Sequence, residues 1–204
     1  MRMTSLFAAL SAAALVACAK DKDDKKEDSA KMADSARAVS APSPSPAAPQ
    51  LTDANIAALL DEANAGDSAG GKMAAAKGTK TDVKAFGTMM MKDHHALRVA
   101  GLDLVKKLNV TPASPANDSL PGKVKTAQDK LASMDKGAGW DKAYIDGEVG
   151  VHQMVLGLID AALGAAQAPE LKGLLKKARP NIEVHLKRAQ DIQAKLGADS
   201  TKKN

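Results

Sequence analysis

Aromatic side chains are scarce in this chain: Phe, Trp and Tyr together make up 2% of its 204 residues. A β-sandwich would fill its core with aromatic and β-branched residues. Their shortage, with alanine throughout, favours close-packed helices. Cysteine occurs once, at Cys18, which excludes an internal disulfide. A one-sided run of positive charge is also missing. The net charge is +5, but acids and bases are interleaved as on solvated helix faces. Nucleic-acid binding calls for a basic stripe, often with aromatics, so no nucleic-acid partner is expected. The apolar run that begins near Leu6 is too short to span a bilayer as a mature helix.

What the first residues do contain is the pattern of an export signal. "MRMTSLFAALSAAALVAC" has Arg2, an apolar run and small residues before Cys18. Its last four letters, "LVAC", resemble the bacterial lipoprotein box. The resemblance implies that Cys18 becomes a lipidated N-terminus, with the membrane as partner. Ala19, rather than the Asp usual in lipoproteins kept at the inner membrane, implies the outer membrane, facing the periplasm. Residues 1–18 are therefore expected to be a signal peptide. Residues 19–50 mix charges with almost no large apolar side chain, then place Pro42, Pro44, Pro46 and Pro49 at near-regular spacing. Such a segment cannot bury a core and serves as a tether.

From residue 51 to 198 the helical period takes over, and the expected fold is all-α, an up-down-up-down four-helix bundle. Thr52 is a candidate N-cap for the first helix. The second starts near Thr81, the third near Asp141 with Asp141 available as its cap, and the fourth near Pro169, a good first-turn residue. A shorter helical piece is expected at roughly 121–134. Pro180 should kink the last helix or split it. Glycines at 66, 70, 71 and 101 weaken helices, which makes sense where helices approach closely or leave room for something.

Each long helix carries one ionisable residue on its apolar stripe: Asp67, His94, His152 and His185. If the tight turns near residues 78 and 167 lie at one end, these residues fall roughly 17 to 26 Å below it at about 1.5 Å per residue. The expectation is one polar layer near mid-bundle. Glu148, one turn before His152, shares its face. Asp93 and Glu183 diverge from their neighbouring histidines and are assigned to the surroundings of the layer or to solvent. His95 points away from it.

Imidazole with carboxylate suits Zn²⁺, Fe, Cu or Mn, and bundle-core metal sites draw ligands from facing helices. Asp67, His94, Glu148, His152 and His185 are the candidate ligands of a transition metal of unspecified identity. The same residues could instead form a metal-free hydrogen-bond network that fixes helix register. Neither a Ser nor a Cys nucleophile falls on the stripes at this level, which argues against a hydrolytic triad and against enzyme activity of that kind. The "MMM" at 89–91 is read as core filling by Met90, with its neighbours flanking. Trp140, Asp141 and Tyr144 look like an anchor at the start of the third helix.

Three blocks, "DVKAFGTMMMKDHH", "WDKAYIDGEVGVHQ" and "LKGLLKKARPNIEVHL", resemble a bacterial envelope family of unknown function. It is often labelled a predicted outer-membrane protein and has a ferritin-like four-helix domain. The resemblance covers about residues 51 to 196 and implies that His94, His152 and His185 are the family's histidines. Asp67 stands where that family usually has Glu. Di-iron ferritin-like proteins carry Glu-x-x-His pairs, whereas Met91 and Ile182 precede His94 and His185 by three. A mononuclear site, or none, fits this pattern better than a di-iron centre.

Overall fold

A computed structural model describes residues 51–201, and among them all regular structure is helical. The signal-like segment, Cys18 and the tether up to residue 50 lie outside the described residues. Five helices follow one another: α1 (Asp53–Lys77), α2 (Thr81–Lys107), α3 (Leu120–Ser133), α4 (Ala138–Ala165) and α5 (Pro169–Thr201). No described helix is long and apolar enough to cross a membrane.

Local chemistry explains the boundaries. Thr52 caps α1, its hydroxyl accepting from the Asn55 amide while the Asn55 side chain accepts from Thr52 N–H, a reciprocal pair of caps. α5 opens on Pro169, where a missing N–H costs nothing. It continues through Pro180 as one element, so the expected split does not occur. α4 starts at Ala138, three residues earlier than Asp141.

Asp141 caps a different helix from the one it belongs to. Its carboxylate is fully buried and accepts from the Thr79 amide at 2.8 Å, the Lys80 amide at 2.9 Å and the Thr79 hydroxyl, all at the entry to α2. Asp53, at the start of α1, does the same for α5, accepting from the Gln167 and Ala168 amides at 2.7 and 2.9 Å. A carboxylate at a helix N-terminus satisfies orphan N–H groups and the helix dipole together.

These two caps fix the directions of the helices. α2 and α4 begin at one end, and α1 and α5 begin at the other. The tight α1–α2 and α4–α5 turns therefore lie at opposite ends, not at one end as the depth argument assumed. The four long helices do not simply alternate, because α3 carries the chain back before α4 starts.

The core falls into two clusters. Ile56, Leu59, Val155, Ile159, Leu175 and Ile182 belong to one. Phe86, Met90, Trp140, Tyr144, Ile145 and Ile192 belong to the other. On α1, α4 and α5 a buried polar residue separates the members of one cluster from those of the other. On α2, His94 separates Met90 from Leu97, which packs on the first cluster. The polar layer forms despite the misplaced turn because each of its residues sits near the midpoint of its own helix. A midpoint stays at mid-height whichever way the helix runs.

α1 and α2 approach closely through glycine. A Cβ at Gly71 would lie 2.5 Å from the Gly87 carbonyl oxygen, and one at Gly87 would lie 2.6 Å from the Ala74 Cβ. Gly101 has no such reason: a Cβ there meets nothing within 4 Å.

Candidate metal centre

The five residues singled out on the helical stripes meet in one place. α1 supplies Asp67, α2 His94, α4 Glu148 and His152, and α5 His185, and all are buried. The His94 ring centroid lies 5.4 Å from that of His152 and 5.1 Å from that of His185, and His152 and His185 are 5.5 Å apart. One nitrogen from each imidazole lies within 4.8 Å of the other two. Asp67, Glu148 and His152 form a second, overlapping group at the same spacing.

The hydrogen bonds around the rings decide which nitrogen of each carries a proton. His94 Nδ1 lies 2.9 Å from Asn64 Oδ1. The Asn64 amide cannot turn round, because its nitrogen donates to the Leu60 carbonyl at 2.7 Å. His94 Nδ1 must therefore be the N–H donor. His152 Nδ1 lies 2.9 Å from the Glu148 carbonyl oxygen, which can only accept, so it too carries the proton. His185 Nε2 lies 3.2 Å from Asp93 Oδ2, with the same consequence. The opposite nitrogens, His94 Nε2, His152 Nε2 and His185 Nδ1, are buried and have no hydrogen-bond partner. In neutral rings these three are bare lone pairs.

Burial keeps the rings neutral. Desolvation, with the neighbouring His152 and His185, pushes His94 down to about 3. Desolvation takes His152 down to about 4. It lowers His185 as well, against the opposing pull of Asp93. The carboxyls move the other way. Burial lifts Asp67 to about 7. Burial and the adjacent Asp67 lift Glu148 well above its usual range. Asp67 Oδ2 lies 3.4 Å from His94 Nδ1, and Glu148 Oε2 lies 3.4 Å from His152 Nδ1. Both oxygens lack a hydrogen-bond partner. The Tyr144 hydroxyl is also buried without a bond of good geometry, close enough to feel the charge of Glu148.

Three neutral imidazole lone pairs and two buried carboxyls form a nitrogen–oxygen donor set of the kind that takes first-row transition metals and Zn²⁺. The outer hydrogen bonds to Asn64, the Glu148 carbonyl and Asp93 are the kind of contact that fixes tautomer and ring angle in such sites.

Three further residues have a definite place at the site, one of them not singled out from sequence. Asp93, assigned to the surroundings or to solvent, holds His185 on the neighbouring helix. Asn64 was not singled out, although it lies three residues before Asp67. Tyr144 stacks on Trp140 at 5.4 Å as an anchor would, but its hydroxyl end belongs to the polar layer. Glu183 instead pairs with Arg179. His95 is exposed, Met90 is core, and Met91 is 36% exposed.

The fold and site define an all-helical protein built around a buried histidine–carboxylate layer. The chain belongs to the DUF4142 family, a domain of unknown function, whose model matches residues 38–192. No curated protein and no solved structure matches it.

Proposed function

We propose that this protein is a lipid-anchored envelope protein whose ferritin-like four-helix domain binds one transition-metal ion. In this reading His94, His152 and His185 supply the ligands, with Asp67 and Glu148 at the same centre. The single observation that carries it is the set of three inward nitrogens that lack a partner while every outward nitrogen is bonded. Converging lone pairs in a buried site repel one another, and buried polar atoms are costly when unpaired. A cation relieves both penalties and lets the two carboxyls ionise.

Elemental analysis of the full chain, purified without an affinity tag, tests this. Near-stoichiometric metal is expected, and it should be lost in His152→Ala while helix content is kept. Only trace metal, even after reconstitution with Zn²⁺, Cu²⁺, Fe²⁺ and Mn²⁺, would rule the proposal out. The alternative is an envelope structural or interaction module with the layer as a metal-free network. The bonded outer nitrogens favour it, and it predicts a marked loss of thermal stability in His94→Ala with no change in metal content.

The ferritin-like assignment is supported by four long helices with a single long connection, which holds α3, between the second and third. The anchor rests on the "LVAC" sequence ending in Cys18. Cys18→Ala should move the protein from the membrane fraction to the soluble one. Unchanged membrane association in that variant would remove the lipid anchor from the proposal.

A further inference from the structure

A cleft of about 280 Å³ lies under α3, bounded by α1, α3 and α4. Val124, Leu131 and Val151 are among its apolar walls, and Asp67, Tyr144 and Glu148 also line it. Those last three are 5%, 1% and 6% exposed. Asp67 Oδ2, the Tyr144 hydroxyl and Glu148 Oε2 all lack hydrogen-bond partners. A mostly apolar cleft with a few unsatisfied polar atoms has the general form of a small-molecule site.

The glycines along it need a reason. Gly66 and Gly70 of α1 and Gly147 and Gly150 of α4 line the cleft. Each weakens its helix by about 1 kcal/mol relative to alanine. Close backbone approach explains Gly71 and Gly87, but a Cβ at Gly147 or Gly150 meets nothing within 4 Å. Packing does not demand glycine at either position. What both do is leave the cleft open, since a longer side chain there would grow into it.

The polar ties of the roof are concentrated at its ends. Leu120 is the buried residue of α3. At the other end Lys77 Nζ donates to the Leu131, Ala132 and Met134 carbonyls at 3.3, 2.6 and 3.1 Å. Trp140 Nε1 donates to the Leu131 carbonyl at 2.8 Å. Between them the polar tie to α1 is a 3.5 Å contact from Gln128 to the Gly66 carbonyl.

We propose that the cleft under α3 binds a small uncharged ring molecule bearing one hydroxyl, a phenol or a cyclic alcohol, with that hydroxyl against Tyr144 and Glu148. The size fits, since an apolar cavity of about 150 Å³ already admits benzene. The chemistry fits too. The Tyr144 hydroxyl can both donate and accept, and it lies unpaired in the cleft beside the unpaired Asp67 and Glu148 oxygens, while the mostly apolar walls disfavour a charged ligand. A hydroxyl matches such a mixture, whereas an anion would be repelled. The inference does not need the metal ion.

The test is phenol titrated into the full chain after dialysis against EDTA, followed by ligand-observed NMR, with benzene and benzylamine as comparisons. Saturable binding of phenol is expected, with benzene about tenfold weaker for want of one hydrogen bond. Tyr144→Phe should weaken phenol by a similar factor and leave benzene unchanged. Gly150→Leu should abolish binding of both. If that variant does not fold by circular dichroism, Val124→Phe fills the cleft from the roof and should do the same. Absence of saturable phenol binding, equal binding of benzene, preference for benzylamine, or full binding by a folded filled-cleft variant would each overturn the proposal. Running the titration on EDTA-treated protein separates its failure from failure of the metal reading.

Discussion

Asn64 and His94 are held in a single relative orientation. The Asn64 amide nitrogen is committed to the Leu60 carbonyl, so its oxygen faces His94 Nδ1 at 2.9 Å and sets the tautomer of the ring. This neutral amide determines where the His94 lone pair points without itself facing the centre of the site. Asn64→Ala should therefore weaken metal binding by about 10–100-fold, the usual effect of removing a ligand-orienting contact. Competition against a chromophoric chelator would measure it. Unchanged affinity would mean that the ring is held by packing alone.

The metal-free protein should show opposed pH effects from the two halves of its site. His94 and His152 have folded values of about 3 and 4, below their ordinary 6.5. As pH falls below 6.5 the unfolded chain takes up protons that the native rings refuse. Each ring then removes about 1.4 kcal/mol of stability per pH unit until its folded value is reached. Asp67 acts the other way. With a folded value of about 7 against an ordinary 3.8, it holds a proton natively that the unfolded chain has released. It adds stability as pH falls through that window. Asp67→Asn removes this compensation. The metal-free variant should lose about 1.4 kcal/mol more than its parent per pH unit between 6.5 and 4, measured by urea unfolding. Parallel profiles would show that Asp67 ionises normally in the folded state.

Asp141→Ala should lower stability by about 2 kcal/mol or more, because it strips a buried cap and leaves the Thr79 and Lys80 amides without that acceptor. Metal content should not change, since Asp141 lies at the end of the helices and not in the layer. Thermal melts with parallel metal analysis would separate the two effects. Metal loss in a folded variant would contradict the separation.

Gly71 of α1 and Gly101 of α2 should respond in opposite directions. Gly71→Ala puts a methyl group 2.5 Å from the Gly87 carbonyl oxygen and should destabilise by about 1–3 kcal/mol as the helices are forced apart. Gly101→Ala meets nothing within 4 Å and should stabilise by about 0.5–1 kcal/mol through helix propensity and a less flexible unfolded chain. Chemical denaturation of the two variants checks both signs.

The all-helical class, most helix boundaries and the convergence of Asp67, His94, Glu148, His152 and His185 were legible in the sequence. All of these follow from helical period and from position along a single helix. Helix direction was not legible. It depends on where α3 takes the chain and on the caps made by Asp53 and Asp141, which are contacts between residues 61 or more positions apart. Asp141 looked like a cap for α4 because sequence shows only the nearest helix start. Asp93 was assigned only to the surroundings of the layer or to solvent, with no partner named, for a related reason. Its angle on α2 carries it away from His94, and only the approach of α5 makes it a partner for His185. Pro180 pointed to a kink or a break, and α5 runs on through it without a break.

The two hairpins, α1–α2 and α4–α5, each cap the other at one extremity, through Asp53 and Asp141, and the imidazole layer spans the boundary between them halfway along. His94 comes from one hairpin, and His152 and His185 come from the other. An ion held by all three would rivet the halves together at the point farthest from both caps. Amide exchange at mid-helix should then slow in all four long helices at once when metal is added, although only one residue of α2 and two of the other hairpin touch it through nitrogen.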